Sequence, residues 1–304
     1  MTANRNGKRG IAVVDRVTYK ANGIDFHALV AGEGDPVLLL HGFPDIQESF
    51  HHHLEALAEV GFRAIAPPLR GYPPTKGPGP YTVEQLKTDT LELAHRVGMS
   101  SEVPGYLVGH DWGGIAACLA AGEEPSLFRG VVIASVPHPA SFAARVLGGD
   151  YDQLKRSWYM FFFQMEGLAE TVILTSKMAF VERLMLDWSP SLLKNEGSEL
   201  VHKRMEAMAE PGVLKAALEY YRSVFPKPDR PPPLVAKPVS VPALLVFGSE
   251  DNCIPHTVAS DSNAFFTAGY RLEVLSGAGH FVHTEKPEAF SRLVTQFFTD
   301  IRSQ

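Results

Sequence analysis

Cysteine is scarce in this chain, with two in 304 residues, Cys118 and Cys253, far apart and without metal-ligand spacing. That argues against a cysteine-built metal centre and fits a reduced compartment. Long apolar runs are missing too: no stretch approaches the roughly 18 residues of a membrane helix. The polar, basic start leads into only four apolar residues, Ile11–Val14, where a secretory signal needs roughly 7–15. Basic charge is not in excess. The net charge of −6 gives no face for nucleic acid, and no polybasic run suggests an anionic membrane. No internal repeat or low-complexity tract occurs. What remains, 45% hydrophobic and 20% charged, is an ordinary globular composition long enough for one large α/β domain or a domain with an insertion. The expectation is a soluble, cytoplasmic protein, a monomer or homodimer.

Along the chain, residues 16–20 and 24–30 alternate polar and apolar around Asn22-Gly23, a hairpin signal. Apolar strand runs follow at 36–40, 106–108, 130–134 and 242–247, with a further short strand at 62–66 and the last strand at 270–275. Helical patterns lie between several of them. Thr82–Gln85 has the form of a capping box opening a helix to about Arg96, and Pro287 opens a final helix with Phe290, Leu293, Val294, Phe297 and Phe298 on one side. Strands alternating with helices predict a mostly parallel sheet flanked by helices. From about 141 to 225 there is no apolar β run, only helical spacing rich in Met, Phe and Tyr, and 225–242 is dense in proline. Residues 1–140 and 236–304 therefore form the expected core, and 141–235 a helical lid with a Pro-rich return strap. His51-His52-His53 reads as a mixed surface-and-boundary stretch, since consecutive helical positions point in different directions.

Chemistry concentrates at Gly109-His110-Asp111-Trp112-Gly113. A strand ending in a glycine-flanked corner and passing straight into a small-residue helix is the setting of a nucleophile elbow, G-x-S-x-G. Gly109 and Gly113 let strand and helix backbones approach, and Asp111 takes the serine's place. A serine that displaced a leaving group at saturated carbon would be left as an ether. A carboxylate gives an alkyl ester, which water can cleave with the same oxyanion hole serving that step. Asp111 thus points to C–O or C–halogen cleavage at sp³ carbon and disfavours a serine-type esterase. The hole would be the backbone N–H groups of Trp112 and Phe43, the latter in His41-Gly42-Phe43-Pro44 after the strand at 36–40. Asp251 and His280, each following a later strand, complete the nucleophile–acid–histidine order of an α/β-hydrolase triad. Glu250 is a rival acid and His283 a rival base; Gly279-His280 directly after a strand favours His280. In these roles Asp111 attacks, His280 activates water, and Asp251 orients the imidazole.

His41-Gly-Phe-Pro44, Gly109–Gly114, Gly248-Ser-Glu-Asp251 and Gly279-His-Phe281 together resemble the epoxide hydrolase branch of the α/β-hydrolase superfamily over nearly the whole chain. The resemblance implies an α/β-hydrolase fold with an inserted helical cap, an apolar substrate, water as co-substrate, and no cofactor or metal. It also implies two cap tyrosines that protonate the epoxide oxygen. Tyr159, in Trp158–Gln164, matches the first; the second precedes an arginine, and Tyr221, before Arg222, is chosen over Tyr220. Haloalkane dehalogenases are close relatives. For that reading Trp112 and Trp158 would serve as pocket donors to a halide, although Phe43 stands where many of those enzymes have asparagine. Fluoroacetate-type dehalogenases carry arginine at the position of Trp112. A non-catalytic ligand-binding protein of this fold is the remaining alternative, which would not need Asp111, Asp251 and His280 together.

Overall fold

The computed structural model describes residues 13–225 and 236–304. Eight strands form one sheet: β1 (Val14–Ala21), β2 (Ile24–Ala31), β3 (Asp35–Leu40), β4 (Phe62–Ala66), β5 (Gly105–His110), β6 (Phe128–Ala134), β7 (Ala243–Gly248) and β8 (Tyr270–Leu275). Their order is β1-β2-β4-β3-β5-β6-β7-β8. The first two form the expected hairpin, Ala21 opposite Ile24. Its two-residue turn has Asn22 and Gly23 both at positive φ, which those residue types tolerate. From β4 onward every neighbour is parallel. Strands β3, β5 and β7 are buried on both faces, which is why they read as unbroken apolar runs.

Helices cover both faces. On one side lie α1 (His51–Glu59) and, much later in the chain, α13 (Pro287–Arg302). The other carries α2 (Val83–Arg96) and α3 (Trp112–Glu123). Thr82 caps α2 by accepting the Gln85 N–H at 3.2 Å. On α13, Phe290, Val294 and Phe298 are buried while Leu293 and Phe297 are partly so. Among the described residues between β6 and β7 come eight helices and no strand: α4 (Pro139–Leu147), α5 (Tyr151–Arg156), α6 (Trp158–Phe163), α7 (Leu168–Thr175), α8 (Ala179–Trp188), α9 (Leu192–Asn195), α10 (Ser198–Ala209) and α11 (Val213–Ser223). The first of them, α4, starts at Pro139, two residues before the helical spacing read at 141. Most of the proline-rich strap, 226–235, lies outside the described residues. A short helix α12 (Val282–Glu285) precedes α13. Among the described residues no helix is long and apolar enough to cross a membrane.

Candidate active site

Parallel strands present their C-terminal ends at one edge of the sheet, and four of the following turns meet there. Asp111 follows β5 as the N-cap of α3 at φ 51°, ψ −120°, a positive-φ conformation that thrusts its side chain out of the corner. The corner is tight enough that Cβ atoms on Gly109 and Gly113 would strike backbone, and one on Gly42 would strike the Asp111 side chain. From the turn after β3, the Phe43 N–H donates to Asp111 Oδ1 at 2.7 Å. The Trp112 N–H belongs to the open first turn of α3. His41 and Pro44 frame this loop: both are buried, and His41 accepts the Leu69 N–H at 3.0 Å and contacts its own chain at the Gly42 carbonyl.

His280, after β8, places Nε2 3.7 Å from Asp111 Oδ2. Its Nδ1 is 3.0 Å from Asp251 Oδ2, after β7. The other Asp251 oxygen accepts the N–H groups of Cys253 and Ile254 at 2.8 and 2.9 Å, so the acid itself is fixed. Burial opposes charge on the imidazole, but Asp251, with Asp111 beside it, outweighs burial and pushes the His280 pKa up to about 10. The rivals are engaged elsewhere. Glu250 is exposed and bound by Ser191, and His283 meets Asp45 Oδ2 at 3.0 Å.

Tyr159 and Tyr221 reach the same space from α6 and α11, with ring centroids 5.7 Å apart. The Tyr159 hydroxyl contacts Cys253 Sγ at 3.4 Å. Burial, with the Asp111 charge adding to it, pushes both phenols well above their ordinary range and keeps them protonated. The Trp112 indole N–H comes near the Tyr221 hydroxyl, slightly opposing that shift, yet neither atom completes a hydrogen bond. Tyr220 differs: its hydroxyl donates to the Arg70 carbonyl at 2.6 Å and points away. One residue of helix, 100° of rotation, separates the two roles.

Trp158 requires a correction. It is 49% exposed and packs on Phe162 and Phe180, because the buried side of α6 carries Tyr159 and Phe163 instead. The tryptophan at the site is Trp188, the last residue of α8, 5.4 Å from His280 and 4.8 Å from Tyr159 between ring centroids. An apolar face ending in Trp188 is legible in the sequence, but nothing there shows which core loop it meets. Beneath the site lies a second group that the sequence did not reveal. Arg204 of α10 donates to Asp45 Oδ1 at 2.7 Å and to Glu196 at 2.6 Å, all without exposure of the guanidinium. Asp45 also meets Ser49 and His283, while His110 contacts the His280 carbonyl at 2.9 Å. Asp45, His110 and His283 lie close enough to suggest a metal site. The Arg204 guanidinium on the same carboxylate argues against a cation there. His53 is bound to Ser291 and the His283 carbonyl, and His51 and His52 are exposed.

Residues 37–293 match the Alpha/beta hydrolase family. The human protein Epoxide hydrolase 4 is 30% identical over 293 residues, 93% of this chain and 78% of that one. Epoxide hydrolase A of Mycobacterium tuberculosis is 27% identical over 92% of this chain and 96% of its own. The crystal structure of the Bacillus megaterium epoxide hydrolase in complex with an inhibitor superposes with a TM-score of 0.81 at 24% identity, covering 93% of this chain and 100% of that one. At that identity the superposition speaks to the fold. The family match and the human relative speak to descent, and the chain belongs to the α/β-hydrolase family, in its epoxide hydrolase branch.

Proposed function

We propose that this protein is an epoxide hydrolase that works through a covalent ester on Asp111. The observation that carries the reading is the division of labour between the two Asp111 oxygens. Oδ1 is held by the Phe43 N–H and Oδ2 faces His280 Nε2, with two protonated phenols nearby. Oδ2 attacks a ring carbon, the C–O bond breaks, and the oxygen takes a proton from Tyr159 or Tyr221. Water then adds to the ester carbonyl as His280 accepts its proton. The carbonyl charge develops on Oδ1 in the hole formed by the Phe43 and Trp112 N–H groups. Collapse breaks the bond to the former Oδ2 and expels it with the substrate as an alkoxide, which takes the proton of the new carboxylic acid to give a vicinal diol and the Asp111 carboxylate. The proton held by His280 returns to the phenolate. The inserted helices serve as a cap, since α6, α8 and α11 supply Tyr159, Trp188 and Tyr221.

Each cycle on this scheme leaves one solvent oxygen in Asp111. After repeated turnover in ¹⁸O-water, mass spectrometry of the Asp111 peptide should show the label; diol formation with an unlabelled peptide would rule the ester out. Separately, Tyr159→Phe and Tyr221→Phe should each slow ring opening by about 10–100-fold, the double variant more, since each removes one proton donor to a developing alkoxide. Opening rates unchanged in both would remove the phenols from the scheme.

The dehalogenase reading keeps one favourable feature, the buried and unbonded Trp112 indole N–H. Its second donor, Trp158, faces outward. A bromoalkane assayed beside an epoxide panel separates the two: halide release without diol from any epoxide would favour displacement of halide.

A further inference from the structure

The two phenols are not equivalent. The Tyr221 hydroxyl is buried without a partner, whereas the Tyr159 hydroxyl has one, the Cys253 thiol. Cys253 is held on both sides of its backbone. Its N–H donates to the triad acid Asp251 at 2.8 Å, and its carbonyl accepts from Gln153 of α5 at 3.1 Å. Gln153 in turn reaches Ser157, next to α6, at 3.0 Å. The thiol is thus fixed relative to both the acid and the helix bearing Tyr159.

We infer that Cys253 is a positioning residue for Tyr159, its S–H turning to the phenolic oxygen as that oxygen gives up its proton. This rests on the function proposed above. A neutral phenol outranks a thiol as donor, so before reaction the phenol O–H points to sulfur, and the weakness of that bond leaves it easily released to the epoxide. Once the proton has moved, the phenolate sits in a buried space where an unpaired charge is costly, and the thiol donates to it. The proton on sulfur stays there throughout. Burial and the nearby Asp251 charge push the Cys253 pKa well above the ordinary thiol range, so sulfur does not compete with Asp111 as a nucleophile.

The test is a double-mutant cycle on ester formation in single turnovers, using the best substrate of a panel of terminal and aryl-substituted epoxides. Cys253→Ala and Cys253→Val should slow ester formation about tenfold, the low end for a hydrogen bond to a charged group because a thiol is a weak donor. Cys253→Ser, which keeps a donor of similar size, should stay within about twofold of wild type. In a Tyr159→Phe background the same three substitutions should change nothing further. A packing role predicts the reverse order, valine best and serine worst, and equal losses with or without the Tyr159 hydroxyl. Either result overturns the inference while leaving the hydrolase reading intact. A wild-type protein that forms no diol from any epoxide sinks both.

Discussion

Substituting His280→Gln should leave a protein that forms the Asp111 ester and stalls there. Intact mass would rise by one substrate, and turnover would fall by about 10²–10⁴-fold, the usual worth of a positioned general base. On the proposed mechanism Asp111 needs no base to attack, whereas the ester waits on a water that something must deprotonate. The geometry suits His280 to that second step alone, with Nδ1 anchored on Asp251 and Nε2 turned toward Asp111. Charge suits it as well. In the free protein two carboxylates outweigh burial and hold the imidazole pKa up, to about 10. Ester formation abolishes the Asp111 charge, so the imidazole releases its proton more readily when a base is required. Ester breakdown in single turnovers should therefore rise with pH along an ionisation lying below that of the free protein. A His280→Gln protein that turns over at the wild-type rate, or never acquires the added mass, would contradict this assignment.

The same shift has a consequence for stability. A histidine whose folded pKa is raised stabilises the fold fully below its ordinary value of 6.5, and that contribution is lost as pH climbs through about 10. Denaturation midpoints followed from pH 6 to 10 should fall in wild type and lose that part of the slope in His280→Gln.

Arg204→Met is expected to destabilise the fold by about 3–5 kcal/mol, the cost of leaving a buried ion without its partner. Arg204 joins helix α10 to Asp45, five residues past the end of β3, and its other bonds go to Glu196, Ser49 and Thr284. Without it, the Asp45 and Glu196 carboxylates lose their guanidinium donor. Burial alone would raise the Asp45 pKa, but Arg204 and His283 outweigh it and hold the carboxyl well below its ordinary 3.8. A depressed carboxylate pKa adds stability that is fully present above 3.8 and disappears as pH falls through the folded value. Urea titrations should show Asp45→Asn/Arg204→Met recovering part of the loss, because the pair is removed together. An Arg204→Met protein as stable as wild type would mean that apolar packing alone seats α10.

Several features of this protein follow from the chain read by itself. Buried strands appear as unbroken apolar runs because a parallel sheet covered on both faces has no wet side. The elbow is visible because its glycines are demanded by backbone contact a few residues away, and Asp111 in the serine position is the basis of the chemistry proposed above. Asp251 and His280 are legible for a related reason: each follows directly on a strand end, and parallel topology brings those ends to one edge. What only the tertiary structure decided concerns side chains that meet across long sequence separations. It turned Trp158 outward and brought Trp188 to His280, aimed Tyr221 inward and tied Tyr220 to Arg70, and joined Asp45 to Arg204 and Cys253 to Tyr159. Helical spacing fixes which residues share a face but not the rotation of that face against a distant loop. That rotation is set by packing of the whole inserted layer on the sheet edge, a property no local stretch of sequence contains.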